Sequence, residues 1–254
     1  MSGFSSILLA ADIDGTLALN GIVSKENIDA IRQFQGDGGL FTVATGRHSK
    51  YYMETFSDKV MPNECILCLN GNLIYDIKAQ KCIKTFKTDK TSAEEIILDA
   101  LKFLDGKITK INLFDENEGY LFDSSVPTDL CKWVFVLEEE KDALMLRDYL
   151  RNKYSPDFNV ERSWPTGVEV YNSIGGKGNA LKYLKDAINP NIKTIISAGD
   201  YENDVTMLRQ ADIGYAIKGG SIEAYDAADR ITEVTCSDNA IAWIINELYK
   251  KGGI

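Results

Sequence analysis

The 254-residue sequence lacks several features that would point to particular classes of function. No apolar run approaches the length of a transmembrane helix. The apolar stretch near the N-terminus has no basic flank of the kind that marks a signal peptide. Lysine and arginine total 28 against 38 acidic residues, for a net charge of −10, and they form no basic cluster. We therefore expect neither nucleic acid nor a membrane surface among the partners.

Cysteine and histidine are also scarce. The chain has five cysteines, an odd number, and Cys65 and Cys68 form a lone C-x-x-C inside an apolar segment. Without a second cysteine pair or a histidine partner, this spacing indicates buried thiols rather than a zinc or redox site. Such thiols fit a reducing compartment, and we expect the protein in the cytoplasm. The sole histidine, His48, is expected at the surface and not as a general base.

The residues that are present describe a globular protein with strands and helices in alternation. Apolar residues make up 44% and charged residues 26% of a chain long enough for one large domain or two smaller ones. Near both ends, apolar segments alternate with amphipathic ones, which is typical of parallel strands joined by helices. Ser24 is the predicted N-cap of the first helix. The predicted strands of these end regions are residues 7–11, 40–44, 66–69, 194–198 and 213–217, and the later helices are 177–188, one near 203, and 240–249.

The pattern changes near residue 84. Ser92 and Glu95 have the spacing of a capping box at the start of a helix that runs to about residue 104. Alternating segments then predict a hairpin, a strand, a second helix and a second hairpin, ending near residue 171. The predicted architecture is α/β: a doubly wound (Rossmann-like) parallel sheet from residues 1–83 and 172–254, interrupted by an inserted α+β cap at residues 84–171.

Two aspartates follow the first strand directly, in the segment Asp12-Ile13-Asp14-Gly15-Thr16. The carboxyl end of a buried parallel strand is where open α/β sheets place their ligands. Like charges this close repel each other unless a cation or a shared proton relieves them. The pair is therefore a candidate metal-dependent catalytic pair, although the five residues alone also fit an ordinary Asp-Gly turn.

Further polar residues stand at the ends of other predicted strands. Thr45 ends the second strand, Asp200 ends a late strand, and Lys177 opens a helix, so the topology brings them to one sheet edge. Asp204 lies four residues after Asp200, although the helix dipole alone would favour both acids there. Four carboxylates against one lysine would repel a phosphate group, whereas Mg²⁺ suits such oxygen ligands and would bring the site close to charge balance.

Taken in order, these four motifs resemble those of the haloacid dehalogenase (HAD) superfamily of phosphatases. The chain is most similar to the Cof-type sugar-phosphatase branch, in which the cap lies between the second and third motifs. The segments that carry the resemblance are Asp12 to Thr16, Thr45-Gly46-Arg47, Lys177-Gly178, and Gly199-Asp200 with Asn203-Asp204. The resemblance spans the whole chain, because the predicted α+β insert also matches that branch.

The resemblance implies a Mg²⁺-dependent phosphomonoester hydrolase that acts on a small phosphorylated metabolite, with a sugar phosphate as the expected substrate. Asp12 would form an aspartyl-phosphate, Asp14 would act as general acid and base, and Lys177 would neutralise charge. The implied substrate- and phosphate-binding residues are Thr45, Gly46, Arg47, Lys177 and Asn203. The implied metal-site residues are Asp12, Asp14 through its main-chain carbonyl, Asp200 and Asp204, with Asn203 orienting the ligands.

Some interpretations stay open at this stage. Arg47 could contact the phosphate or form a salt bridge with the adjoining helix, and Asn70-Gly71 reads as a plain turn that could also line the crevice. The aromatic residues of the cap, Trp133 and Trp164 among them, are expected in its core.

The function also has two rivals. A phosphomutase or phosphotransferase of the same superfamily would replace water with a sugar hydroxyl. A non-catalytic phospho-acceptor resembling a bacterial receiver domain would also combine acids, a threonine and a lysine, but receivers are about half this length. No feature of the sequence points to an oligomeric state.

Overall fold

The computed structural model describes residues 3–250 and 252. Its strands, in chain order, are β1 (Ile7–Ala11), β2 (Ala18–Leu19), β3 (Ile22–Val23), β4 (Leu40–Val43), β5 (Ile66–Cys68), β6 (Leu73–Asp76), β7 (Lys81–Thr85), β8 (Ile108–Phe114), β9 (Gly119–Leu121), β10 (Lys132–Leu137), β11 (Phe158–Trp164), β12 (Gly167–Asn172), β13 (Thr194–Gly199), β14 (Ile213–Lys218) and β15 (Arg230–Thr235). Its α-helices are α1 (Lys25–Gly36), α2 (Ser49–Thr55), α3 (Lys90–Phe103), α4 (Glu140–Tyr154), α5 (Lys177–Tyr183), α6 (Val205–Gln210), α7 (Ile222–Ala227) and α8 (Ala240–Lys250).

A five-stranded parallel sheet with the order β15-β14-β13-β1-β4 forms the centre of the fold. Strand β1 is buried along its whole length because helices cover both faces of the sheet. Leu9 belongs to the hydrophobic cluster that contains residues of α1 and α8, whereas Leu8 belongs to the cluster that contains residues of α5. This alternation along one strand confirms the predicted doubly wound α/β architecture.

The segment predicted as a third parallel strand behaves differently. A single parallel bridge from Leu67 to Ala44 connects it to the end of β4. Otherwise β5 pairs antiparallel with β6, which in turn pairs antiparallel with β7. The predicted parallel pairing of this strand is therefore present only as that one bridge, and its main pairing is antiparallel. The cause is the tight turn after β5, where Leu69 and Asn70 both have positive φ and reverse the chain directly.

A second five-stranded sheet, with the antiparallel order β11-β12-β10-β8-β9, lies between the two halves of the parallel sheet in sequence. We call this sheet together with α3 and α4 the antiparallel unit. Both predicted hairpins are present in it. Its hydrophobic cluster is drawn from residues 93–170, and it includes buried side chains of both helices. The division of the chain at residues 84 and 171 stays a prediction.

Helix boundaries show which local signals were correct. Ser24 caps α1 as predicted, with its side chain accepting a hydrogen bond from the amide of Asn27. The capping box at Ser92 is wrong, because Asp89 is the N-cap of α3 and accepts a hydrogen bond at 2.9 Å from the Ser92 amide. The helix predicted over 177–188 is α-helical only to Tyr183 and continues as a π-helix over Leu184–Ile188.

The cysteine side chains agree with the expectation of buried thiols. All five cysteines carry free thiols, and Cys65 and Cys68 are buried as predicted. Burial raises the pKa of the Cys65 thiol to about 11, which suits a structural thiol and not a reactive one. Among the described residues, no helix combines the length and the apolar character needed to cross a lipid bilayer.

Candidate active site

Three aspartates from distant parts of the chain meet at the carboxyl edge of the parallel sheet. Carboxylate oxygens of Asp12, Asp200 and Asp204 all lie within 4.8 Å of one another. Asp12 follows β1, Asp200 follows β13, and their strands are direct neighbours in the sheet. Strand adjacency is therefore what brings the first and fourth motifs together.

Lys177 supplies the positive charge of this cluster. Its side chain is fully buried, and Nζ donates hydrogen bonds to Asp12 Oδ1 at 2.7 Å and to Asp204 Oδ1 at 2.6 Å. Burial opposes the charged form, but the two carboxylates outweigh it and raise the pKa of Lys177. The lysine stays protonated and holds Asp12 by one oxygen.

Burial and the repulsion between neighbouring carboxylates disfavour the charged forms of Asp12 and Asp200. Burial, with the charges of Asp204 and Asp200 adding to it, raises the pKa of Asp12 well above its usual range despite the opposing effect of Lys177. Burial and the charge of Asp204 raise the pKa of Asp200 to about 7. A divalent cation would offset this repulsion, and three carboxylates form the hard oxygen donor set that Mg²⁺ takes in proteins. The residues present therefore fit the predicted metal ion.

Gly15 is required at the turn after the first motif. Its φ is +87°, and a Cβ placed there would lie 2.4 Å from Oδ2 of Asp200. Any side chain would displace that carboxylate, so a glycine lets the backbone of the first motif approach the cluster. The neighbouring Thr16 hydroxyl donates a hydrogen bond to Asp200 Oδ1 at 2.7 Å, which orients the acid.

Asp204 is positioned by the loop that carries the fourth motif. Its Oδ2 accepts hydrogen bonds from the backbone amides of Asp200 at 2.9 Å and Tyr201 at 3.1 Å. The predicted helix near Asn203 is a short 3₁₀ turn over Glu202–Asp204, and the α-helix begins only at Val205. The turn leaves Asp204 facing back toward the strand end, where its other oxygen meets Lys177.

Asp14 lies outside the acidic cluster. Arg47 binds its carboxylate through Nε at 2.7 Å and Nη2 at 2.8 Å, and the guanidinium also stacks over the Tyr51 ring at 4.2 Å. The salt-bridge interpretation of Arg47 was right in kind, but its partner is Asp14 and not a residue of the adjoining helix. Thr45 is buried beside this pair, and its Oγ1 accepts a hydrogen bond from the Arg47 amide at 3.2 Å.

A cavity of about 570 Å³ opens over Asp12 and Asp14, between the carboxyl edge of the parallel sheet and the antiparallel unit. Its size suits a small metabolite. The parallel-sheet side contributes Gly46, Arg47, His48, Tyr51, Tyr201 and Asn203, and the antiparallel unit contributes Asn112, Phe114, Lys132, Val134, Ser163, Trp164 and Glu169.

Sequence reasoning missed a buried polar network between the two sheets. Lys132 Nζ donates to the Gly46 carbonyl at 2.7 Å and to Glu169 Oε2 at 3.1 Å. Asn70 donates to Glu169 and to Glu161, and its own Oδ1 accepts from Asn203 at 3.3 Å. The available signal was a charged residue within an otherwise apolar strand, as at Glu169 between Val168 and Val170.

Three further expectations are settled by this geometry. Asn70 is fully buried in the network, so Asn70-Gly71 is more than a plain turn. Trp133 is a core residue as predicted, but Trp164 is 36% exposed and lines the cavity, so the core assignment was wrong for it. His48 is half-buried in the cavity wall and not fully exposed. Its Nε2 lies 3.1 Å from the Glu116 carbonyl, and burial lowers its pKa.

Comparison with known proteins agrees with this arrangement. A family model for haloacid dehalogenase-like hydrolases matches residues 9–129 and 121–245. The chain belongs to this family. The predictions of a HAD superfamily member and of an enzyme are therefore confirmed.

Curated relatives match the chain over nearly its full length. One is 5-amino-6-(5-phospho-D-ribitylamino)uracil phosphatase YcsE of Bacillus subtilis, 24% identical over 234 residues that cover 91% of each chain. Phosphatase YwpJ of the same organism is 24% identical and covers 95% of this chain and 99% of its own.

Solved structures show the same fold. A haloacid dehalogenase-like hydrolase from B. subtilis superposes with a TM-score of 0.82 at 21% identity, covering 95% of this chain and 99% of its own. A sugar phosphatase of HAD subclass IIB superposes with a TM-score of 0.75 at 17% identity, covering 97% and 99%.

Proposed function

We propose that the protein is a Mg²⁺-dependent phosphomonoester hydrolase that acts on a small phosphorylated metabolite through an aspartyl-phosphate at Asp12. The observation that carries the proposal is the hydrogen bond of Lys177 to one oxygen of Asp12, inside an acidic cluster that opens on a cavity of metabolite size. The names of the curated relatives, which are phosphatases, support the choice of a phosphate ester.

Asp12 is the proposed nucleophile. Its Oδ1 is occupied by Lys177, which leaves Oδ2 to attack phosphorus as the bond to the leaving oxygen breaks. The positive charge of Lys177 favours the ionised form of Asp12 against the effect of burial. The same charge stabilises the negative charge that develops on the transferring phosphoryl group.

Asp14 is the proposed general acid and base. It lines the cavity, and Arg47 holds its carboxylate by two hydrogen bonds. A proton from Asp14 would pass to the leaving alkoxide, and the resulting carboxylate would then take a proton from the water that hydrolyses the aspartyl-phosphate. The product of that second step is inorganic phosphate with Asp12 restored.

Asp12, Asp200 and Asp204 would hold the magnesium ion, with the main-chain carbonyl of Asp14 as a further predicted ligand. When bound, the ion supplies positive charge that balances the carboxylates and polarises a phosphoryl oxygen. Thr16 and the backbone amides that bind Asp204 keep the protein ligands in place. Thr45, Gly46, Arg47, Lys177 and Asn203 stay the proposed substrate- and phosphate-binding residues.

The antiparallel unit is the proposed cap that covers the leaving group, and residues 84–171 are its proposed extent. One relative is named for a phosphorylated ribitylaminouracil and one structural neighbour is a sugar phosphatase, so we propose a small organic phosphate as substrate. The names of the curated relatives, which are phosphatases, favour hydrolysis over transfer to a sugar hydroxyl. The receiver-like alternative is set aside, because the family match extends over both ends of the chain. We also propose the cytoplasm as the location, which suits five free thiols.

The test is phosphate release from a panel of phosphorylated metabolites with purified protein and no added acceptor. Asp12→Asn is expected to abolish release, and a chelator is expected to do so reversibly when magnesium is restored. Asp58→Asn, at an exposed aspartate remote from the site, is the matched control and should change nothing. Full activity in excess chelator would contradict the metal role. Full activity of Asp12→Asn would contradict the nucleophile, and product phosphorylated on an added sugar would favour the transferase.

A further inference from the structure

The roof of the cavity is one face of the antiparallel sheet. Asn112, Val134 and Glu169 are direct cross-strand neighbours on β8, β10 and β12, and all three line the cavity. The residues between them on these strands point to the opposite face and pack in the core of the antiparallel unit, as Trp133 does. The side chains that the roof presents to a leaving group are therefore defined by strand register.

The charges on the roof cancel each other. Lys132 and Glu169 form a salt bridge of 3.1 Å with both side chains only 2% exposed. On the opposite side of the cavity, Arg47 is the one arginine among the described lining residues, and it is already paired with Asp14. No unpaired cation lines the cavity among its described residues. A leaving group with a second phosphate or a carboxylate would therefore enter without a counter-charge, against paired acids.

Aromatic side chains also line the cavity beside these charge pairs. Trp164 lines the cavity with 36% of its surface exposed, and its ring lies over Gly167. A Cβ at Gly167 would come within 2.2 Å of the indole, so the absence of a side chain there provides the place for the ring. The indole packs against the backbone of Gly167 before any ligand binds, so its exposed part is a preformed stacking surface. Phe114 and Tyr201 also line the cavity.

Two neutral polar groups on the roof have no protein partner. The Ser163 hydroxyl is buried and makes no hydrogen bond to any described residue. The Asn112 amide, half-buried on β8, likewise has no side-chain hydrogen bond within the described part of the chain, but β8 lies three strands from β11, about 14 Å away, so a single ring cannot contact both groups. A buried hydroxyl without a partner is costly, and a ligand that reaches it would remove that cost.

We propose that this enzyme selects monophosphate esters whose leaving group is an uncharged planar ring that bears hydrogen-bonding substituents. The ring stacks on Trp164, and a substituent on it bonds to the hydroxyl of the adjacent Ser163. The paired charges of Lys132 and Glu169 reject leaving groups with a second anionic group. This inference rests on the proposed phosphatase function and specifies the substrate class of the same site.

The test compares three synthetic esters at pH 7.5 that differ in one property each: 4-carbamoylbenzyl phosphate, 4-carboxybenzyl phosphate and (4-carbamoylcyclohexyl)methyl phosphate. The first has a neutral planar ring, the second adds a negative charge, and the third removes planarity. We expect kcat/KM for the first to exceed the other two by about tenfold or more, since stacking and one unpaired charge are each typically worth that much.

Variants assign the selectivity to residues. Trp164→Leu should bring the planar and cyclohexyl esters within about threefold of each other, because the stacking surface is gone. Ser163→Ala should lower kcat/KM for the carbamoyl ester relative to unsubstituted benzyl phosphate by about fivefold, as expected for one neutral hydrogen bond. Glu169→Gln frees the charge of Lys132 and should raise kcat/KM for the carboxylate ester relative to the carbamoyl ester.

The control variant is Tyr120→Leu, which removes an exposed aromatic ring of the same unit outside the cavity and should alter none of these ratios. Thermal unfolding confirms that each variant is folded. If p-nitrophenyl phosphate is hydrolysed but the three esters react equally, the inference is overturned and the proposed function stands. If no ester is hydrolysed by the magnesium-loaded protein, both fail.

Discussion

Glu202 joins the antiparallel unit to the loop that carries the fourth motif. It is 3% exposed and accepts hydrogen bonds from three arginines of the antiparallel unit: Arg147 at 2.9 Å, Arg151 at 2.5 Å and Arg162 at 3.2 Å. We expect Glu202→Gln to weaken the attachment of this unit and to lower the free energy of unfolding.

The size of the effect follows from the geometry. Glutamine keeps only one of the two acceptor oxygens and loses the charge, so at least one of the three hydrogen bonds is lost and the others become weaker bonds from a charged donor to a neutral acceptor, at a cost of about 1 kcal/mol each. Other partners reduce this sum, because Arg162 also binds Glu140 at 2.9 Å and the Arg151 side chain is 40% exposed. The expected loss is about 2 kcal/mol, or about 4–8 °C in Tm for a protein of this length.

The assay is urea denaturation followed by circular dichroism, with the midpoint and the slope fitted separately. Glu139→Gln is the matched control, because Glu139 is exposed and, among residues 3–250, pairs only with the exposed Lys141. That control should change stability by less than about 0.5 kcal/mol. A Glu202→Gln loss no larger than the control would refute the reasoning. An increase in KM for the substrate would show in addition that attachment of the antiparallel unit shapes the cavity.

Three further predictions concern the acidic cluster and the packing beside it. In the metal-free protein, the pKa of Asp200 is raised to about 7, so the folded form binds a proton that the unfolded form releases near pH 4. The free energy of unfolding should therefore fall as the pH rises from about 4 to 7, and magnesium should restore it at pH 8. A metal-free Tm that is higher at pH 8 than at pH 5 would contradict this. Lys177→Met removes the cation that is hydrogen-bonded to Asp12 and Asp204. Turnover should fall by about 10²-fold or more, and calorimetry should show tighter Mg²⁺ binding. Unchanged Mg²⁺ affinity would count against the charge argument. Gly178→Ala would place a Cβ 2.4 Å from the Thr206 carbonyl oxygen and should destabilise the protein by about 1–3 kcal/mol. Gly36→Ala, where a Cβ would meet no atom within 4 Å, should be neutral or stabilising in the same thermal unfolding measurements.

Most strands and helices of the fold, and the acidic residues of the site, could be predicted from local sequence patterns. Strand β1 reads as a continuous apolar run because both of its faces are covered, and the acids at its end stand out for the same reason. The Ser24 cap was also a local signal. Local patterns gave the wrong strand pairing where a neighbouring turn decided the path of the chain. Strand β5 has the composition of a buried parallel strand, but the turn after it sends the chain back antiparallel.

The division between Asp14 and the other acids could not be read from the sequence. Asp12 and Asp14 are two residues apart and identical in type, so composition treats them alike. The structure separates them by partners: Lys177, 165 positions away, holds Asp12, whereas Arg47 holds Asp14. The roles proposed for the two acids depend on these distant partners and not on their neighbours in the chain.

The sequence by itself determined which chemistry is present: four motifs, a parallel sheet to align them and a composition without a basic surface. These follow from hydrophobic periodicity and from turn residues, which act over a few positions. Only the tertiary structure decided which residues roof the cavity. Lys132, Glu169 and Gly46 meet across separations of 37 and 86 positions, and such pairings are set by the register of strands and by the packing of one sheet against the other.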